Sequence, residues 1–126
     1  MIVGVGVDMV DTRRILRSLD RFGDRFVRKI LASNEIRPHL SGIQAAAYVA
    51  RQFAAKEAVS KALGSGMKSG VHFRNIHVLR AKSGAPIVLL NGGALDRAST
   101  LNVTQVHLSM SDERDYALAY AIAVTD

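Results

Sequence analysis

Apolar residues recur at two different periods along this chain, and the switches between the periods mark its elements. Residues 2–10 alternate small and apolar side chains, with Val3, Val5, Val7 and Val10, and predict a strand. Asp11-Thr12 supplies a cap ahead of Arg13, and Ile15, Leu16 and Leu19 give the helix that follows an apolar face. A break near Asp20 to Gly23 separates this helix from a second helical piece carried by Phe26, Val27, Ile30 and Leu31. Ser33-Asn34-Glu35 and Pro38 mark a loop or the start of a short helix. The strongest helical signal runs over residues 43–63, a stretch free of Gly and Pro. There Ile43, Ala46, Val49, Ala50, Phe53, Ala54 and Glu57 fall on or near one stripe at the helical period, and Gly64-Ser65-Gly66 ends the pattern abruptly.

Beyond a loop reaching about His72, the period returns to two. Ile76 to Ala81 and Ile87 to Leu90 predict strands around the turn Lys82-Ser83-Gly84-Ala85-Pro86, and Asn91-Gly92-Gly93 closes the second. Ala94 to Leu101 predicts a short helix. Gln105 to Met110 and Tyr116 to Val124 are strand-like, and the polar connection between them predicts a hairpin. Taken in order, these elements predict an α+β fold with a mainly antiparallel sheet packed on one long buried helix. No repeat, linker or low-complexity tract interrupts residues 1–126, so one domain is expected.

Composition narrows the function classes. No apolar run approaches the ~20 residues of a membrane helix, and no membrane partner is expected. The opening Met1-Ile2-Val3-Gly4-Val5-Gly6-Val7-Asp8 lacks a basic leader and a cleavage site, and the chain has no cysteine for disulfides, thiolate metal sites or thiol catalysis. A cytoplasmic location is the expectation. The net charge of +6 points to an anionic partner, and the cations are concentrated. Arg13, Arg14, Arg17, Arg21, Arg25, Arg28 and Lys29 share one early segment with only Asp11, Asp20 and Asp24 against them. This is either a solvated helix face or a docking face. Single-strand nucleic-acid binders interleave cations with stacking aromatics, but only 6% of this chain is aromatic and it has no tryptophan, so nucleic acid is not the expected partner.

Two carboxylates stand in apolar company. Asp8 interrupts a strand of valines, where an unpaired charge is costly to bury, unless it sits at the strand end and caps the next helix. Glu57 lies on the Ala/Val/Phe stripe, either paired with Lys61 four residues on or held at a buried boundary for another purpose. A pair of carboxylates near lysines and a Gly-rich turn suits Mg²⁺ with phosphate, because Mg²⁺ takes one or two carboxylates and fills its shell with water and phosphate oxygens. Lys56 and Lys61 then offer charge to the phosphates, and Gly64-Ser65-Gly66 offers backbone N–H groups, unless the turn is only a helix stop.

The same residues carry a resemblance. Gly4-Val5-Gly6-Val7-Asp8-Met9-Val10-Asp11 with Arg14-Ile15 resembles the opening motif of the holo-acyl-carrier-protein synthase family, which has the 4′-phosphopantetheinyl transferase fold. Phe53-Ala54-Ala55-Lys56-Glu57-Ala58-Val59-Ser60-Lys61-Ala62 is similar to its second motif, and Gly64-Ser65-Gly66 to its Gly-Thr-Gly turn. Val106-His107-Leu108-Ser109 through Asp112-Glu113-Arg114 and Tyr116-Ala117 resembles its C-terminal strand pair. The resemblance implies a transferase that moves 4′-phosphopantetheine from coenzyme A to a serine of an acyl carrier protein and releases adenosine 3′,5′-bisphosphate. It implies Asp8 and Glu57 as ligands of Mg²⁺, and Lys61 on the coenzyme A phosphates and assisting the leaving group. The serine proton goes either to Glu57 through a water, the first choice, or directly to solvent, and the resemblance implies Arg14 with neighbours Arg17, Arg21 and Arg25 as the face for the acidic carrier protein. It also implies a homotrimer with sites between subunits, where first-motif and second-motif residues meet across an interface. The alternative is a non-catalytic basic module that binds nucleic acid or an acidic protein.

Three positions depart from the family pattern. Gln52 stands where many members have Arg, Ala85 replaces a lysine in a Gly-Lys-Pro turn, and Asp112 replaces a histidine near the end. Of the four histidines, His39, His72 and His77 have no metal-ligand spacing, and His107 is expected to be a packed strand residue.

Overall fold

Strand β1 (Ile2–Asp11) opens the chain in a computed structural model that describes residues Met1–Asp126. The Asp11 carboxylate accepts the Arg13 backbone N–H at 2.9 Å and caps α1 (Thr12–Phe22). Gly23, at φ 55°, takes the left-handed turn that ends α1 and lets α2 (Asp24–Ile30) leave in a new direction. A single 3₁₀ turn, Ser33–Glu35, leads to α3 (Gly42–Ala62), the long helix. The hairpin of β2 (Ile76–Arg80) and β3 (Pro86–Leu90) follows, then α4 (Gly92–Thr100) and the hairpin of β4 (Gln105–Glu113) and β5 (Tyr116–Val124).

The strands are all antiparallel but form two sheets: β5 lies between β1 and β4, while β2 and β3 pair only with each other. Together with α3 this is the α+β architecture expected from the pattern. Boundaries moved by a few residues: β4 runs on to Glu113 and α4 starts at Gly92.

The core lies between α3 and the three-stranded sheet, in one cluster of 23 buried residues. The seam is made of small side chains. Ala117, Ala119, Ala121 and Ala123 of β5 all point inward, beside Gly4 and Gly6 of β1. A Cβ on Gly4 would overlap the Ala62 carbonyl oxygen, and one on Gly6 that of Ala58, so β1 needs glycine to lie this close to α3. The helix is buried around most of its circumference, with Gln52, Lys56 and Ser60 enclosed as well as its alanines and valines. Its first stripe residue, Ile43, is 76% exposed because it lies in the opening turn, ahead of the packed part of the stripe.

Period two also turns β1 opposite to what its valines suggest. Gly4, Gly6, Asp8 and Val10 face α3, which leaves Val5, Val7 and Met9 outward at 51%, 50% and 63% exposure. Leu118 and Tyr120 of β5 share that outer face, so the sheet presents an apolar surface on its far side. His107 points to solvent rather than packing, since it occupies the alternate phase to buried Val106.

Candidate active site

The adjacent ends of β1 and α3 bring three predicted residues together. Asp8, on the inward face of β1, keeps 17% of its side chain exposed. Lys61, in the last turn of α3, donates from Nζ to Asp8 Oδ1 at 3.1 Å and to the Val7 carbonyl at 2.9 Å. Glu57 sits one helical turn before Lys61 and is half-buried. Its carboxyl is pushed above the usual range by burial, then by the Asp8 charge, while Lys61 pulls it back.

This geometry decides the alternatives left open by the sequence. Asp8 is not a helix cap, because Asp11 has that role. Lys61 is not engaged in a helical ion pair with Glu57, because its ammonium reaches across to β1. Asp8 thus takes the lysine and Glu57 is left without one in contact, and no cluster of three or more potential metal-ligating side chains exists in the chain. A pair of carboxylates open to solvent on one side matches a hard cation that keeps waters and phosphate oxygens in its shell. Asp8 and Lys61 meet within one chain, so this contact between the two motifs needs no interface.

Two predicted phosphate-binding groups lie elsewhere or point elsewhere. Lys56 is sealed in the core, its Nζ donating to Glu35 Oε1 at 2.6 Å and to the Phe73 carbonyl at 2.9 Å, so it has no path to a phosphate. It lies 100° around the helix from Glu57, on the side covered by the Ser33–Glu35 turn and β2. The N–H groups of Gly64, Ser65 and Gly66 are spent on the end of α3, bonding to the carbonyls of Lys61, Ser60 and Ser60 respectively. Gly64 and Gly66 have φ of 74° and 59°, the left-handed geometry of a helix stop. The turn therefore offers no N–H cradle.

The basic segment does form a surface. Arg14, Arg17, Arg21 and Arg25 are all exposed, and none has a carboxylate within salt-bridge distance. Arg13, by contrast, is held by Asp11 at 2.8 Å and by Asp115 at 3.7 Å. The guanidiniums of Arg21 and Arg25 flank the ring of Phe22.

The family model of the 4′-phosphopantetheinyl transferase superfamily matches residues 4–121. The chain belongs to this family. A relative of Halorhodospira halophila, a holo-[acyl-carrier-protein] synthase, is 46% identical over 99% of this chain and 99% of its own. The solved holo-[acyl-carrier-protein] synthase of Neisseria meningitidis superposes with a TM-score of 0.88 at 38% identity, covering 99% of this chain and 100% of that one. That of Bacillus anthracis, in complex with CoA (3′,5′-ADP), has a TM-score of 0.84 at 34% identity, covering 100% and 99%.

Reasoning from the family motifs and the pattern passed over several residues. Glu35 falls in the stretch expected to be a loop or a short helix start, yet it is fully buried with Lys56. Gln52, noted as a departure, donates to Glu35 Oε2 at 2.7 Å and to the Val78 carbonyl at 3.0 Å. Asp112, another departure, accepts from Arg51 at 2.8 Å and ties β4 to α3. Arg97 of α4 donates to the Leu63 carbonyl at 2.9 Å, placing a cation at the end of α3 where the helix dipole favours one. Gln52 lies off the apolar stripe, on another covered face of α3, and the others depend on segments distant in sequence, so none carried a local signal.

Proposed function

We propose that this chain transfers 4′-phosphopantetheine from coenzyme A to a serine hydroxyl of an acyl carrier protein. The observation that carries the reading is the half-buried Asp8 and Glu57 together, with Lys61 on Asp8 and none on Glu57. In the reaction the serine oxygen attacks the β-phosphorus of coenzyme A, the P–O bond to the bridging oxygen breaks, and adenosine 3′,5′-bisphosphate leaves with that oxygen. Such transfers ask the protein mainly for alignment and charge neutralisation. Asp8 and Glu57 are the residues that would hold Mg²⁺, which when bound supplies positive charge against the pyrophosphate. Lys61 adds a second cation, on a side chain already directed over β1 by the Val7 carbonyl. Glu57 is also the first candidate to accept the serine proton, through a water, with direct loss to solvent as the other route.

Arg14, Arg17, Arg21 and Arg25 form the face for the carrier protein, whose acidic surface complements four cations without internal partners. The reading includes a homotrimer. Val5, Val7, Met9, Leu118 and Tyr120 make an exposed apolar patch on the sheet, of the kind that marks an interface between protein chains. The neighbouring subunit would then supply surface around the ligands, while the carboxylates come from one chain. No helix is long and apolar enough to cross a membrane.

Mass spectrometry of an apo carrier protein incubated with the chain, coenzyme A and Mg²⁺ tests the reaction. The expected result is one added phosphopantetheine on serine, with release of adenosine 3′,5′-bisphosphate. A carrier that keeps its apo mass across varied conditions rejects the enzyme and leaves a basic binding module.

A further inference from the structure

We infer that the buried Glu35–Lys56–Gln52 network is a positioning device for Glu57, setting the roll and height of α3 so that Glu57 faces Asp8. The inference rests on the reading of Asp8 and Glu57 as cation-holding carboxylates. Lys56 and Gln52 lie one turn apart on α3, and both reach the carboxylate of Glu35. Glu35 Oε1 accepts from Lys56 Nζ at 2.6 Å and the Ala32 N–H at 2.9 Å; Oε2 accepts from Gln52 at 2.7 Å and the Val78 N–H at 3.2 Å. Lys56 further donates to the Phe73 carbonyl, and Gln52 to that of Val78. One sealed network thus ties α3 to the Ser33–Glu35 turn, to β2 and to the turn before it. Burial pulls the Lys56 amine below its usual range, and the Glu35 carboxylate opposes that pull.

Stability alone does not account for this arrangement. Buried ion pairs are commonly replaced by apolar side chains of similar volume without loss of stability. What apolar contacts lack is direction, whereas hydrogen bonds tolerate only a narrow range of distance and angle. The need for direction is acute here because the opposite side of α3 is smooth. Gly4, Gly6, Ala58, Ala62 and Ala119 meet there with little interlocking to oppose a roll of the helix. A slip by one residue along α3 would rotate its side chains by about 100° and carry Glu57 away from β1. The network admits one setting only, since Lys56 and Gln52 must both meet Glu35.

The test is the double variant Glu35→Leu/Lys56→Met, with Gln52→Leu as a milder change. Each is melted thermally, titrated with Mn²⁺ followed by electron paramagnetic resonance with coenzyme A present and carrier protein absent, and assayed with Mg²⁺. The double variant is expected to melt at or above the wild-type temperature, to bind Mn²⁺ about tenfold more weakly, and to lose kcat with the carrier-protein KM unchanged. Gln52→Leu should move Mn²⁺ affinity and kcat in the same direction by less. A folded double variant with wild-type Mn²⁺ affinity and kcat overturns the inference; if the double variant does not fold, unchanged values in Gln52→Leu overturn it. Wild-type protein that binds no Mn²⁺, or Glu57→Gln that binds it as well as wild type, removes the carboxylate reading itself and this inference with it.

Discussion

Helix α3 contributes Lys56 and Lys61 to two carboxylate–lysine groups, and they are built on opposite terms. On one side Lys56 meets Glu35 with both side chains at 0% exposure and every lone pair of the carboxylate engaged by nearby donors. On the other, Lys61 meets Asp8 at the surface, and Glu57 stands beside them half-buried with no lysine of its own. The first group is electrically closed: one positive and one negative charge, with donors to spare. The second has two negative charges to one positive and faces solvent, so its charge is left unbalanced on the open side. A charged group that satisfies itself holds a structure together, and one that is left short is set out for a partner. The lysines adjacent to and one turn beyond Glu57 look alike in sequence, and only burial separates their roles.

The contrast is sharpest in what single substitutions should do. Lys56→Ala strands the Glu35 carboxylate in the core and is expected to cost about 3–5 kcal/mol, a large part of the stability of an ordinary domain. Urea denaturation should show the midpoint falling steeply. A Lys56→Ala protein as stable as wild type would mean that the pair is not sealed, and the comparison would collapse.

On the open side the loss should appear in turnover instead. Asp8→Asn and Glu57→Gln are each expected to lower kcat/KM on the order of 100-fold or more while leaving the fold intact. Because either change disables the same site, the double variant should be little worse than the poorer single one. Steady-state kinetics on all three variants checks this. Independent, multiplying losses would place the two carboxylates in separate roles.

The half-buried carboxylates were easier to find from sequence than the sealed one. Asp8 and Glu57 stand out because each is a charge on an otherwise apolar face, and the period of a strand or a helix is enough to show that. Glu35 sits in Ser33-Asn34-Glu35, where a charge is unremarkable, and its partners arrive from residues 17, 21 and 43 positions away. Lys56 was assigned to phosphate because a single stripe describes only one face of a helix, whereas α3 is covered on several. The Gly64-Ser65-Gly66 turn reads the same whether its N–H groups serve a ligand or the helix end, and the helix took them. The elements themselves were legible because alternation and helical period are local. The outward apolar face of β1 was not, because alternation gives two faces without saying which one meets α3.

The comparison extends to cations that no carboxylate holds. Arg14→Glu with Arg21→Glu should raise the KM for the carrier protein about tenfold, with kcat and coenzyme A affinity much less affected. Wild-type efficiency should fall as ionic strength rises, and the double variant should lose most of that dependence. An unchanged carrier KM would return these arginines to the solvated surface; weakened coenzyme A binding would assign them to the nucleotide. Arg13, already held by Asp11 and Asp115, should contribute little to either.

The smallest effect is a gain in stability. Burial and the Asp8 charge hold the Glu57 carboxyl above its ordinary value of 4.5, so the folded protein binds that proton more tightly than the unfolded chain does. Between the two values the folded state carries more protons, and stability falls as pH rises through that window. Below 4.5 both states are protonated and the cost disappears. Replacing the carboxylate with a neutral amide removes the cost where it exists. Without divalent cations, Glu57→Gln is therefore expected to melt slightly above wild type at neutral pH, with the margin shrinking toward zero as pH drops below 4.5. Adding Mg²⁺ with coenzyme A should reverse the order at neutral pH, because only wild type gains a bound ligand. Melting curves across pH, with and without the ligands, check both signs. A variant that is less stable at neutral pH and equally so in acid would show that Glu57 supports the fold as Glu35 does, and the two sides of α3 would no longer differ.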